Sequence, residues 1–295
     1  MAHTVESLNE IDKVNFLTER NKKGINTFRD ARPFISGERA LALTKSWRET
    51  EGEPTPIRRA KGFARMLDEI PIAIRGGELL VGSQTEHVRG CFAFPEWDAE
   101  LCLKEFENKA TFSMDQDYFE AETDERQREM ILEAARFWKG KSVVDKIWNP
   151  MDRLWGNRMR ELYDARVFFK PFNKPPSGGT VNYERALNQG LNEVIAEIKE
   201  ELSKPAELTS AGLHKLAVRQ AMIIACQAVI RYAERHAKLA KELAEKESDK
   251  VRKSELERIA DVCFCADDES TARSQELHQL AYHIICDIIE DSFCK

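Results

Sequence analysis

The sequence predicts a mostly α-helical protein with a few short β-strands. Three observations support this fold class: apolar residues recur at helical spacing, charged residues form 33% of the 295 positions, and only two short, partly β-branched runs break the pattern. Since 42% of the residues are apolar, the chain can bury a core without disulfide bonds. A single domain is the simplest interpretation.

The first third of the chain predicts two helices and a small hairpin. Ser36 is a candidate N-cap for a helix within residues 34–50, and Pro56 suits the first turn of the next helix. Residues 70–84, IPIAIRGGELLVGSQ, contain two apolar runs around Gly76 and Gly77. This pattern predicts a hairpin or two short strands.

The rest of the chain predicts longer helices. Residues 124–140 carry one apolar stripe, and Gly140 follows it as a stop signal. A second helix follows in the string NYERALNQGLNEVIAEIKEEL, and the longest covers about residues 209–248. The predicted buried stripe of this longest helix comprises Met222, Cys226, Val229, Ile230, Ala233, Ala237, Ala240 and Ala244.

The charge and the composition narrow the class of protein. The formal net charge is −6, which gives no electrostatic argument for a nucleic-acid partner. No stretch approaches the roughly 20 apolar residues of a membrane span, and the N-terminus has no signal-peptide pattern. We therefore expect a cytoplasmic protein with no membrane partner, in which the seven cysteines are reduced thiols.

Short motifs for metals and common enzymes are missing from the sequence. Cys263 and Cys265, with His278 and His283 downstream, match no closed zinc motif, so we expect no metal site. The nucleophile-elbow, zinc-protease, P-loop and dinucleotide-binding motifs do not occur. The remaining histidines stand singly, a pattern more typical of structural residues than of a general base.

Two loops could line a site or could equally serve a structural role. Residues 89–97, RGCFAFPEW, combine a guanidinium, a thiol and aromatic rings. Residues 168–190 contain three Phe, three Pro and the adjacent Gly178 and Gly179, so the backbone there can approach a ligand between apolar walls.

These two loops also carry a resemblance to a known family. The string PIRRAKGFARMLDEIPIAIRGGELLVGSQTEHVRGCFAFPEW resembles the N-terminal segment of glycyl radical enzymes related to pyruvate formate-lyase, with its R-G-x-x-x-F-P-E loop. The string PSGGTVNYERALNQGLNEVIAEIKEEL is similar to the family's P-G-H-T-V loop and the helix after it. The resemblance covers residues 28–263, which leaves an extension at 1–27 and a divergent tail at 264–295.

The resemblance implies both a fold and a chemistry. The family fold is a ten-stranded α/β barrel wrapped in helices, of which this chain would form the N-terminal part. A separate radical-SAM activating enzyme installs a backbone glycyl radical. The radical passes to a cysteine, and the resulting thiyl abstracts hydrogen from a small organic substrate. The reactions include lyase, dehydratase and decarboxylase chemistry. A homodimer is a possible assembly.

The sequence departs from the family in three ways. It contains neither the R-V-x-G-Y loop of the radical glycine nor the G-C-x-E loop of the thiyl cysteine, and Cys91 lies in the wrong context to replace the latter. We therefore predict no catalytic residue in this chain, which would be truncated and inactive alone. The tail after Cys263 suggests a frameshift or premature stop. Gly179 stands where several dehydratases have a substrate-binding His, and glycine offers no hydrogen-bonding side chain.

The predicted substrate-binding residues are therefore Phe169, Phe172, Gly179, Thr180 and Arg89. Three alternatives remain open. The chain could be a stand-alone helical binding or interaction protein, or one chain of a split enzyme. It could also be an independent enzyme that uses Arg89, Cys91 and Glu96, or the loop of residues 168–190.

Overall fold

The computed structural model describes residues 19–79, 81–108, 111–113, 120–165, 167, 183–205 and 207–261. Most of these residues are helical, which confirms the predicted class. The helices are α1 (Glu19–Asp30), α2 (Glu38–Glu49), α3 (Thr55–Glu69), α4 (Ala99–Asn108), α5 (Glu125–Trp138), α6 (Val143–Trp155), α7 (Arg158–Asp164), α8 (Tyr183–Ser203), α9 (Ser210–Lys246) and α10 (Lys250–Asp261).

Within the described residues, four three-residue strands form one sheet: β1 (Phe34–Ser36), β2 (Gly90–Phe92), β3 (Thr111–Ser113) and β4 (Glu120–Glu122). The strand order is β2-β1-β4-β3. β1 runs parallel to β2, with Ile35 opposite Cys91, and parallel to β4. β3 and β4 pair in the antiparallel direction. The sheet therefore joins the 89–97 loop to the segment before α2.

The hairpin predicted for residues 70–84 is wrong, because the described residues of this segment form no strand. Ile74 and Val81 instead pack against the apolar surface between α9 and α10. The Arg252 guanidinium of α10 donates hydrogen bonds to the carbonyl oxygens of Arg75 (3.1 Å) and Glu78 (2.8 Å). Two backbone carbonyls of this segment are thus satisfied by a side chain instead of by a neighbouring strand.

Ser36 is not the N-cap of α2, because it ends strand β1 and the cap position falls to Gly37. Gly37 has no side chain that could accept a hydrogen bond from α2. Its own N–H donates to the Gln127 Oε1 of α5 at 2.7 Å. The prediction for α3 was better: the helix begins at Thr55, and Pro56 lies in its first turn.

The predicted helix at 124–140 is confirmed as α5. Asp124 caps it by accepting a hydrogen bond from the Gln127 N–H at 2.8 Å, and Gly140 follows its end with φ +76°. Its buried face packs against α2 and α4. At the contact between α5 and α2, the Trp138 indole donates a hydrogen bond to the Thr44 hydroxyl at 2.9 Å.

The long helix predicted at 209–248 is confirmed as α9, with Thr209 as its N-cap. It packs against α3, α8 and α10. Of its predicted stripe, Cys226, Val229, Ala233, Ala240 and Ala244 are buried, while Met222, Ile230 and Ala237 are half-buried. The chain kinks within α8 at Gly190, where φ is 70°.

Helix α9 also has the length and the apolar composition of a membrane span. It is the one such helix among the described residues. Its apolar face packs against α3 through Val229 and Phe63, which belong to the same core cluster. This packing is typical of the central helix of a globular core, so composition alone makes a weak argument for a membrane.

Candidate functional site

The candidate site is the segment of residues 83–97, which contains β2 and the predicted residue Arg89. Its backbone is hydrogen-bonded to β1 on both sides of β2. The Phe34 N–H donates to the Arg89 carbonyl (3.0 Å), and the Ala93 N–H donates to the Ser36 carbonyl (3.1 Å). The Phe34 ring also stacks on the His87 imidazole, with 3.7 Å between centroids. The segment is therefore fixed against the sheet.

Arg75 holds the turn that precedes β2. Its Nη2 donates hydrogen bonds to the carbonyl oxygens of Thr85 (2.8 Å) and His87 (2.9 Å). Its Nη1 donates to the Glu78 carboxylate at 3.0 Å, and Glu78 also accepts from the Arg75 N–H at 2.7 Å. One guanidinium thus sets the shape of residues 85–87, because it supplies donors to two carbonyls that no strand satisfies.

Gly90 is required by a close approach of the chain to itself. A Cβ at this position would lie 1.9 Å from the Thr85 Oγ1 and 2.9 Å from the Thr85 Cβ. Real contacts are never so short, so any larger residue would push β2 away from the turn. The R-G pair in the sequence therefore has a structural cause at its glycine.

The Arg89 side chain turns toward the end of α1. Its Nη1 donates a hydrogen bond to the Ala31 carbonyl at 3.2 Å, and its guanidinium lies 5.3 Å from the centre of the Phe28 ring. In this structure the guanidinium therefore helps to hold α1, which has no buried residues of its own. A substrate-binding role for Arg89 stays a prediction.

The second half of the segment is held by a half-buried ion pair between Glu96 and Arg39 of α2. The Arg39 Nη1 lies 2.6 Å from the Glu96 Oε1, and both side chains are 19% exposed. The Arg39 guanidinium also lies 4.3 Å from the centre of the Phe94 ring. Neither the Arg39 Nη1 nor the Glu96 Oε2 has an aligned hydrogen-bond partner among the described residues, so the contact is electrostatic rather than a directed hydrogen bond.

Gln127 joins α5 to the start of α2 beside this segment. Its Oε1 accepts from the Gly37 N–H at 2.7 Å and from the Ser36 hydroxyl at 3.4 Å, and its Nε2 donates to Glu38 at 2.9 Å. A small recess lies here, lined by residues that include Ser36, Glu38, Thr85, His87, Phe92 and Gln127. Its hydroxyl, carboxylate and imidazole groups can form hydrogen bonds with a small polar molecule.

Neither described thiol near the site is prepared to act as a nucleophile. Cys91 is exposed, yet neighbouring atoms crowd its sulfur and burial raises the thiol pKa. Burial raises the pKa of Cys102 to about 12, with the Glu96 and Asp98 charges adding to the effect. Both thiols are therefore protonated at neutral pH, and only the thiolate attacks. This disfavours the independent enzyme built on Cys91.

Of the five predicted substrate-binding residues, only Arg89 lies among the described residues. Phe169, Phe172, Gly179 and Thr180 lie outside the described residues, as do Cys263, Cys265, His278 and His283. Among the described residues, no three His, Cys, Asp or Glu side chains converge as metal ligands.

Sequence reasoning missed Arg75 and Gln127, although each left a signal. Arg75 is the only charged residue between Glu69 and Glu78, inside an apolar stretch where a cation needs a partner. Gln127 lies four residues before Ile131, so it occupies the buried stripe of α5. A polar residue on a buried stripe indicates a specific hydrogen-bonding task.

The chain's similarity to known proteins agrees with this geometry. The family described as pyruvate formate lyase-like matches residues 17–290. Since the match covers most of the chain, the protein belongs to the pyruvate formate lyase-like family. The match continues past residue 263 through most of the tail, which reduces the support for a frameshift there.

Two relatives show how much of the family protein is present. The isethionate sulfite-lyase of Nitratidesulfovibrio vulgaris strain Hildenborough is 30% identical over 86% of this chain and 31% of that protein. The trans-4-hydroxy-L-proline dehydratase of Clostridioides difficile is 29% identical over 83% of this chain and 30% of that protein. The chain therefore spans about a third of the length of these relatives.

Solved structures of whole enzymes also match nearly all of this chain and about a third of their own length. A structure described by 1,2-propanediol dehydration in Roseburia inulinivorans matches 91% of this chain and 34% of its own, with a TM-score of 0.78 and 31% identity. The glycerol-bound B12-independent glycerol dehydratase of Clostridium butyricum matches 93% and 34%, with a TM-score of 0.74 and 30% identity. The described helices therefore have the arrangement found in the N-terminal portion of glycyl radical enzymes.

Proposed function

We propose that this chain is the N-terminal, largely helical part of a glycyl radical enzyme that performs lyase, dehydratase or decarboxylase chemistry on a small organic substrate. The observation that supports this most is the structural match, which extends over 91% of the chain but only 34% of the matched enzyme. A chain that reproduces one third of an enzyme so fully is best explained as that part of the enzyme. The remainder would complete the ten-stranded barrel.

In this proposal the two loops identified from the sequence form one side of the substrate pocket. Phe169 and Phe172 supply apolar walls, while Gly179 and Thr180 let the backbone approach the substrate. Because Gly179 has no side chain to donate a hydrogen bond, the substrate is held there by apolar contact instead of a histidine. Arg89 contributes from the 83–97 segment, which Arg75 and Gly90 hold in shape.

The radical chemistry belongs to the part of the enzyme that carries the glycine loop and the cysteine loop of the family. This sequence includes neither loop, so this chain on its own is proposed to be inactive. Its role is then to position substrate for a radical that a radical-SAM activating enzyme generates elsewhere in the assembly. A homodimer of the completed enzyme is part of the same proposal.

The DNA downstream of the gene, together with co-purification, tests this proposal. We expect a downstream reading frame that encodes the glycine and cysteine loops, and we expect its product to purify in a stoichiometric complex with the tagged chain. If no such frame exists and the chain is monodisperse and melts cooperatively alone, the helical binding protein is the better account. The same DNA shows whether a change of frame occurs near residue 263.

A further inference from the structure

Helix α6 has an apolar face that the described residues cover over only half of its length. Its apolar residues recur every three or four positions, as in a helix packed along its whole face. Val144 and Trp148, in the first half, are buried. In the second half Leu154 is 71% exposed and Trp155 is 56% exposed. We call Met151, Leu154 and Trp155 the α6 apolar face.

This exposure belongs to a well-fixed helix rather than a frayed end. Ser142 and Asp145 form a capping box at its start, and the N–H groups of Val143 and Val144 bond to carbonyl oxygens of the 83–97 segment at 3.0 Å. At its other end Asp152 accepts three hydrogen bonds of 2.7–3.0 Å from Arg160 of α7. A fixed helix that exposes a tryptophan and a leucine indicates a docking surface.

The surroundings of the α6 apolar face are basic. Residues 139–161 contain six basic and three acidic side chains. Two of the acids are already engaged, because Asp145 belongs to the capping box and Asp152 pairs with Arg160. The exposed basic side chains are Lys139, Lys141, Lys146, Arg153 and Arg158. An occupant of this surface should therefore be apolar in the middle and acidic around it.

The tail of this chain, residues 264–295, has that chemistry. It contains seven acidic and two basic side chains, so its charge is opposite to that of residues 139–161. Its apolar residues recur at the spacing that the α6 apolar face would require of a partner helix: Leu277, Leu280, Ala281, Ile284, Ile285, Ile288 and Ile289. Glu276, Asp287, Glu290 and Asp291 flank this run.

We propose that residues 276–291 dock on the α6 apolar face of the same chain. The last described residue is Asp261, which leaves residues 262–275 as a connection. Fourteen residues can span up to about 46 Å. A compact protein of this size has a radius of gyration of about 19 Å, which corresponds to a sphere about 50 Å across, so the connection can reach more than half of its surface. This inference does not depend on the proposed enzyme function.

The test measures the solvent access of Trp155 in the full chain. The chain is labelled with 5-fluorotryptophan, and the Trp155 signal is assigned from the Trp155→Phe variant. A soluble paramagnetic reagent then broadens each ¹⁹F signal in proportion to its exposure. We expect Trp155 to be protected in the unchanged chain and several-fold more accessible in the Ile284→Glu/Ile288→Glu variant. The charge-reversal variant Lys146→Glu/Arg153→Glu should weaken the protection in the same direction.

The control replaces polar tail residues, Ser270→Glu/Ser274→Glu, and should leave Trp155 protected. The proposal is wrong if Trp155 is as accessible in the unchanged chain as in the Ile284→Glu/Ile288→Glu variant. It is also wrong if the protection grows with protein concentration, since a second copy would then be the occupant. Protection that survives both tail and charge-reversal substitutions would assign the surface to another segment and overturn the proposal.

Discussion

At the scale of single residues, the buried side chain of Gln127 links the candidate site to the start of α2 by hydrogen bonds. Gln127 is 5% exposed and satisfies a backbone N–H, a hydroxyl and a carboxylate that belong to three successive residues. No local sequence motif predicts these hydrogen bonds, because the partners lie about 90 positions away in the sequence. The Gln127 side chain thus satisfies the N–H of Gly37, the residue at which α2 is capped.

The Gln127→Ala variant tests that role. It leaves the Gly37 N–H buried without an acceptor, which should lower the free energy of unfolding by about 1–3 kcal/mol. Urea unfolding followed by circular dichroism measures the change. Gln227 is exposed on α9, so Gln227→Ala is the matched control and should change the stability by less than about 0.5 kcal/mol. Equal effects of the two substitutions would contradict the role of Gln127 as the acceptor for the Gly37 N–H.

Gly90 gives a second prediction at this scale. A Gly90→Ala change places a methyl group against Thr85, so β2 or the turn must move, at a cost of about 1–3 kcal/mol. Thermal unfolding measures the loss. Gly24→Ala is the control, because a Cβ there meets nothing within 4 Å and lies inside helix α1. A Gly90→Ala protein as stable as the control would show that the turn is not tightly packed.

His236 predicts a pH dependence of stability. Burial lowers its pKa from the usual 6.5, the nearby Arg235 charge lowers it further, and the hydrogen bond of its Nδ1 to the Tyr232 carbonyl opposes the shift. Because the unfolded chain binds the proton more tightly, the stability contributed by neutral His236 is complete above pH 6.5. It is lost as the pH falls through the lowered folded value.

Urea midpoints at several pH values between 5 and 8 check this dependence. The His236→Gln variant should lose less stability on acidification than the unchanged chain does. A variant of the exposed His214, His214→Gln, should behave as the unchanged chain. If the curves of the His236→Gln variant and the unchanged chain stay parallel across this range, protonation of His236 does not destabilise the fold.

At the scale of the elements, two arginines one turn apart on α9, Arg235 and Arg231, contact α3 in different ways. Arg235 donates hydrogen bonds to the carbonyl oxygens of Leu67 and Ile70, the latter at 2.8 Å, and so caps the end of α3. Arg231 pairs with Asp68 at 2.8 Å, and both of these side chains are largely exposed. Only the first arginine satisfies backbone groups that have no other partner in the helix.

Replacing each arginine by methionine separates the two roles while keeping the apolar stem. We expect Arg235→Met to lower the free energy of unfolding by about 2 kcal/mol, since it removes charged donors from half-buried carbonyls. Arg231→Met should cost less than about 1 kcal/mol, as exposed ion pairs do. Chemical denaturation of the two variants measures both changes in the free energy of unfolding. A larger loss for Arg231→Met than for Arg235→Met would contradict this account of the interface.

The elements also show where sequence patterns succeed. Helices α5 and α9 were predicted nearly to their ends, because each carries a long apolar stripe, and in α5 a glycine stop signal follows it. The hairpin at 70–84 was mispredicted because short apolar runs fit a strand and a buried loop equally. Only tertiary contacts, with Arg252 on the carbonyls and Ile74 against α10, decide between the two.

At the scale of the whole molecule, family motifs were more informative than local physics. The R-G-x-x-x-F-P-E loop led to the family that the match over residues 17–290 then showed. The candidate site was less predictable, because its supports, Arg75 and Gln127, act across long stretches of the chain. The substrate-facing role of Phe169, Phe172, Gly179 and Thr180 stays a prediction.

The most direct test of the account is electron paramagnetic resonance of the assembled protein. The chain is co-expressed with the downstream product and treated anaerobically with the radical-SAM activating enzyme. We predict a glycyl radical signal in the complex, none in the chain alone, and loss of turnover but not of the radical in a Phe169→Asp/Phe172→Asp complex. A complete complex that never acquires the radical, or turnover by the isolated chain, would contradict the central claim.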